Sequence, residues 1–153
     1  MALYLVQHGE NLPKDEDPDK GLSPEGAATV RRIGEVARGY SVKVSGAVHS
    51  GKKRAAQTAR ILSDLLGADP GPQEVSGIRA MDDPAGFAKT IGPDTDMMVV
   101  SHLPFLDRLA GLLVAGDPDR SVFKFQKGGI VRLDPTEEKG HWVITWTLMP
   151  NIG

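Results

Sequence analysis

Three observations predict an α/β fold, a three-layer sandwich with a mainly parallel sheet and helices on both faces. Short, continuously apolar runs alternate with segments of helical periodicity in the order strand, helix, strand, helix, strand, helix. The tail changes character, with GGIVRLD and HWVITWTL flanking the polar PTEEKG as a hairpin. The 153 residues, 40% of them hydrophobic, suffice for one core, so the chain reads as a single domain, 1–153.

The first run, ALYLV at residues 2–6, is short and wholly apolar, as expected of a strand covered on both faces. It stops at Gln7-His8-Gly9. The loop ENLPKDEDPDKG follows; its five acidic side chains and two prolines place it on the surface, bordering whatever lies at the strand end. Its charge is expected to repel highly anionic small molecules and to favour a partner with a basic surface. Ser23 and Pro24 read as the N-cap and first residue of a helix whose apolar face is Val30, Ile33, Val36, Ala37 and Tyr40. VSGAVHS, 44–50, reads as the second strand. KKRAAQTARILSDLLG is the second helix, with Ala55, Thr58, Ile61, Leu62, Leu65 and Leu66 facing in and Gly67 as its stop.

ADPGPQ then leads to a weak strand over Glu74 to Ile78 and a shorter helix from Pro84 to Ile91. MMVV, 97–100, is the third clear buried strand; it runs into Ser101-His102, and Pro104 to Val114 forms the next helix. In the terminal hairpin Trp142 and Trp146 lie four apart, which puts them on one face as packing residues. His141 reads as exposed, and Phe123, Phe125 and Lys127 share a face, as a pocket rim or as core.

Several function classes are disfavoured by composition. A net charge of −2 gives no global basic field, so no nucleic-acid or membrane partner is expected and any anion site must be local. With no cysteine, thiol chemistry and thiolate metal sites are excluded. The initial apolar run is too short for a signal peptide or a span, which makes the cytoplasm the expected location.

In parallel sheets ligands gather at the carboxyl ends of the strands. That edge would hold Gln7-His8-Gly9, His49-Ser50 and Ser101-His102. The segment HSGKKRAAQTA, 49–59, enters a helix there, placing backbone amides, Lys52, Lys53 and Arg54 near one helix N-terminus. Lys52 and Lys53 also suit a solvated surface; Arg54, with a planar fork, is the better anion ligand.

LYLVQHGE, Leu22-Ser23-Pro24-Glu25-Gly26, Ser50 with Arg54-Ala55-Ala56-Gln57-Thr58-Ala59, Val100-Ser101-His102-Leu103-Pro104 and Lys127-Gly128-Gly129 occur in one order along nearly the whole chain. Together they resemble the motifs of the histidine phosphatase superfamily, the phosphoglycerate-mutase-like fold. The short length and the Ser-His-Leu-Pro segment resemble its SixA-type phosphohistidine phosphatases. The resemblance implies that His8 is the nucleophile, carrying the phosphoryl group as phosphohistidine before water removes it. It implies that Arg54 and His102 stabilise charge on the phosphoryl oxygens, with Gln7, Gly9, Ser50 and Ser101 as further phosphate contacts. It implies no metal and no cofactor. The implied partner is a phosphorylated small molecule or a phosphohistidine protein. The oligomeric state is left open.

The chain departs from the pattern at Gln7, where the family has arginine. A neutral amide can donate hydrogen bonds but supplies no charge. Three consequences are open: Lys52, Lys53 or His49 restores a positive charge; the site binds phosphorylated ligands with little turnover, as a regulatory protein; or the substrate is less charged. A general acid, or a loop contact, would come from Glu10, Asp82 or Asp83, although Asp82-Asp83-Pro84 reads better as a helix cap.

Overall fold

A computed structural model describes residues 1–152. The strands are β1 (Leu3–Gln7), β2 (Ala47–His49), β3 (Pro72–Glu74), β4 (Met97–Ser101), β5 (Ile130–Pro135) and β6 (Trp142–Leu148). The helices are α1 (Pro24–Gly39), α2 (Lys53–Leu66), α3 (Pro84–Ala88) and α4 (Phe105–Ala115). One sheet runs β3-β2-β4-β1-β5-β6; β1 to β4 are mutually parallel, and β5 and β6 are antiparallel additions.

β1 is buried at every position, which its unbroken apolar run requires. Strand alternation sends Tyr4 and Val6 to one face, where they meet Val30, Ile33 and Ala37 of α1 and Ala55, Ala59, Leu62 and Leu66 of α2. Leu3 and Leu5 go to the other, against Phe87 of α3 and Phe105, Leu106, Leu109 and Leu113 of α4. Three layers result. Ser23 caps α1, its Oγ accepting from the Gly26 amide at 3.0 Å, and Gly67 ends α2 in the left-handed region (φ 82°). Among the described residues no helix is long and apolar enough to cross a membrane.

Several elements differ from the sequence expectation. β2 begins at Ala47 rather than Val44, because the Val44 amide bonds the Leu66 carbonyl at the end of α2. The weak strand lies at Pro72–Glu74 rather than 74–78: the Val75 amide closes its pairing on His49, and Gly77 (φ 88°) turns the chain. α3 stops at Ala88 because Thr90 and Ile91 bond three residues back rather than four.

In α1, Val36 and Tyr40 are exposed, while Gly26 and Gly34 join Val30, Ile33 and Ala37 in the buried stripe. A Cβ on Gly34 would sit 2.6 Å from Leu65 Cδ1, so closeness of α1 to α2 puts glycine where the hydropathy pattern expects a large residue. In α2, Ala59 and Ser63 are buried and Ile61 and Leu65 only half-buried.

Trp142 and Trp146 do not share a face. The β5–β6 register pairs Arg132 with Trp146 but Leu133 with Ile144, so a bulge at Thr145 reverses the alternation. Trp142 packs with Leu133 on the α4 side, and Trp146 packs on Tyr4 on the α1 side. His141 is half-buried rather than exposed, with Nε2 3.0 Å from the Val114 carbonyl, where it ties the hairpin to α4.

Candidate active site

β1 and β4 are adjacent and parallel, with Gln7 opposite Ser101, so the residues that follow each strand leave the sheet at the same edge. Those residues are His8 and His102. Their rings lie 5.0 Å apart, centroid to centroid, and both side chains are buried (6% and 4% exposed). The His8 amide extends the ladder by bonding the Ser101 carbonyl at 3.1 Å.

The turn after His8 is fixed from two sides. A Cβ on Gly9 would lie 2.7 Å from Val30 Cγ2, so only glycine brings the chain this close to α1. The Gly9 amide donates to Thr58 Oγ1 at 3.0 Å, and that hydroxyl donates to the Arg54 carbonyl at 2.8 Å, linking the turn to α2. The Gly9 carbonyl lies 2.7 Å from His8 Nδ1. A carbonyl only accepts, so Nδ1 carries the proton and Nε2 presents its lone pair.

Both histidines are held neutral. Burial lowers His8 from 6.5 to about 4, aided by the Arg54 and Lys127 charges; the bond to Gly9 and the Glu10 carboxylate pull the other way. His102 falls to about 3, through burial first and then His8, Arg54 and Lys52. The Arg54 charge thus acts on both rings. α2 opens at Lys52 with no capping side chain and no acidic residue in its first turn, leaving its amides available to an anion.

The remaining sequence candidates occupy distinct places. Gln7 is buried at the end of β1, its carbonyl accepting from the Gly128 amide at 2.9 Å. Ser50 Oγ lies 2.6 Å from His102 Nε2. Ser101 reaches this edge through its backbone, but its hydroxyl donates to the Ile78 carbonyl. Glu10 is exposed and 3.7 Å from Lys127 Nζ. Asp82 accepts from the Arg79 amide at 2.8 Å, and Asp83 caps α3; among the described residues no hydrogen bond or ion pair joins Asp82 to either histidine.

Of the cations proposed to stand in for the arginine, Lys53 is paired with Asp17 at 2.9 Å, and His49 accepts the Gly51 amide at Nδ1, its pKa lowered chiefly by burial. Lys52 acts on His102. Lys127, whose charge reaches His8, lies outside the sequence candidates for that role. The usable signal was its place before Gly128-Gly129, the turn whose amide bonds the Gln7 carbonyl.

The acidic loop also behaves differently from its composition. Asp17 turns to Lys53 and the Gly21 amide. A cleft of about 630 Å³ remains at the N-terminus of α2, lined by Lys14, Lys20, Lys52, Lys53 and Arg54 with Asp19 as its one carboxylate, so the surface around Arg54 is basic.

Comparison with known proteins agrees with this geometry. Residues 3–82 match the family model described as the histidine phosphatase superfamily, branch 1. An uncharacterised protein of Picosynechococcus sp. is 27% identical over 142 residues, 87% of this chain and 84% of that protein. The fold is similar to that of the protein histidine phosphatase SixA complexed with tungstate (TM-score 0.82, 20% identity, 98% of this chain and 97% of that one). It is also similar to a phosphoserine phosphatase of Entamoeba histolytica in complex with phosphoserine (TM-score 0.68, 14% identity, 97% of each chain).

Proposed function

Because the chain belongs to the histidine phosphatase superfamily, we propose that it hydrolyses a phosphohistidine or a small phosphoester through transient phosphorylation of His8. The observation that carries this reading is a buried, neutral His8 whose Nδ1 is committed to the Gly9 carbonyl, beside His102 and under the Arg54 charge.

Nε2 of His8 attacks phosphorus in line, and the bond from phosphorus to the leaving nitrogen or oxygen breaks as the N–P bond forms. The leaving group takes a proton from water. Water then attacks the phosphohistidine, releasing inorganic phosphate and returning His8 to its starting state. Arg54, His102 and the Gln7 amide donate to the phosphoryl oxygens, where preorganised donors act most strongly. Gln7 brings no charge; the Lys127 charge acting on His8 and the Lys52 charge acting on His102 supply positive potential in its place. The basic cleft suits a substrate that carries the phosphoryl group on an anionic body.

Steady-state hydrolysis of phosphoramidate and of an aryl phosphate tests this. Wild type turns over at least one of them, His8→Ala neither, and Arg54→Ala is slower by roughly 10²- to 10³-fold, the loss typical of one oxyanion donor. Wild-type turnover no greater than that of His8→Ala would defeat the enzymatic reading. Gln7 favours one alternative, a phosphoryl-binding protein with little catalysis. On that reading, phosphate or tungstate raises the melting temperature of wild type but not of Arg54→Ala, without turnover.

A further inference from the structure

Ser50 follows β2 at the entrance to α2 and is buried to 1% exposure. Its Oγ has two neighbours within hydrogen-bond reach: His102 Nε2 at 2.6 Å and the Lys52 amide at 3.5 Å. An amide only donates. Among the described residues the one acceptor for the Ser50 proton is therefore Nε2. The other ring nitrogen, Nδ1, is buried with no partner among the described residues.

Counting satisfied groups decides the tautomer. With the proton on Nε2, the Ser50 hydroxyl hydrogen has no acceptor and the Nδ1 lone pair has no donor, leaving two buried groups unpaired. With the proton on Nδ1, Ser50 donates to Nε2 and accepts from Lys52, and a single N–H is left over, on a ring 5.0 Å from that of His8. A doubly protonated ring would stand buried among Arg54, Lys52 and His8 without a carboxylate partner.

We propose that Ser50 is a positioning residue that fixes His102 as its neutral Nδ1–H tautomer, so that His102 offers the phosphoryl group a hydrogen-bond donor rather than a lone pair. Ser50 then leaves the set of groups touching phosphate, because its only proton is committed to the imidazole. Without it the ring exchanges between tautomers, and one of them repels the phosphoryl oxygens. The kinetic consequence rests on the phosphatase reading; the proton assignment does not.

Two-bond ¹H–¹⁵N correlation on histidine-labelled protein at neutral pH reads the tautomer directly. Wild type and Ser50→Thr show His102 protonated at Nδ1, and Ser50→Ala shows a mixture while the His8 pattern stays unchanged. Ser50→Ala also lowers kcat by roughly 10²-fold with little change in KM, as for loss of one oriented donor, and Ser50→Thr recovers most of it. An Nε2-protonated His102 in wild type, or a Ser50→Ala variant with unchanged tautomer, overturns the proposal. Absence of turnover in wild type would instead defeat the phosphatase reading and leave the spectroscopic result standing.

Discussion

At the residue scale the site turns on two histidines whose charge is suppressed. With native values near 4 for His8 and 3 for His102, against 6.5 when exposed, the unfolded chain binds protons between these limits that the native chain does not. Their contribution to stability is therefore complete above pH 6.5 and is lost as pH falls toward 4 and then 3. Urea unfolding at pH 7 and pH 4.5 checks the sign: the midpoint moves down at the lower pH. Lys127 supplies a cation to His8, so Lys127→Ala raises the His8 titration point, measured by NMR, and slows turnover. Gln7→Arg restores a forked cation and is expected to raise kcat, by less than the roughly 10²- to 10³-fold a lone donor is worth, since Lys127 and Lys52 already contribute. The oddity of Gln7 was legible from sequence. The cation that offsets it was not, because Lys127 lies more than a hundred residues away in the chain and is brought to this edge by the Gly128–Gln7 backbone bond.

At the element scale, packing of α1 and α2 against the His8 turn does what no single side chain could. Thr58 was legible only as an inward-facing helix residue; the fold makes its hydroxyl the acceptor for the Gly9 amide. Thr58→Val keeps the shape and strands that amide, and it is expected to reduce stability by about 1–3 kcal/mol, with a larger proportional loss in kcat than in KM. Gly26 is a second such point: a Cβ there would lie 2.0 Å from the Glu10 carbonyl. Gly26→Ala therefore pushes the Glu10 loop away from α1, lowering the melting point through an overpacking cost of about 1–3 kcal/mol. The strands of β1 and β4 were readable because they are short and wholly apolar. The bulge at Thr145 was not, since period-two alternation in β6 looks unbroken until its pairing with β5 is known.

At the scale of the whole molecule, a net charge of −2 conceals a basic cleft around Arg54. Composition counted the acids of the Glu10–Asp19 loop; the fold turns Asp17 onto Lys53 and leaves Lys14 and Lys20 facing the cleft with Lys52 and Arg54. The kcat/KM for an anionic substrate should accordingly fall as ionic strength rises past the range where the Debye length is about 10 Å, and Lys14→Ala with Lys20→Ala should flatten that dependence. The order of motifs made the α/β/α architecture and the shared edge of His8 and His102 readable in advance, because parallel strands deliver their carboxyl ends to one edge. The central claim is that His8 carries the phosphoryl group. Rapid quench of the protein with labelled phosphoramidate, followed by peptide mapping under alkaline conditions, tests it most directly. Acid-labile, alkali-stable phosphate on His8, absent from His8→Ala, is the predicted result; turnover with label on another residue, or with no covalent label at any time, would contradict it.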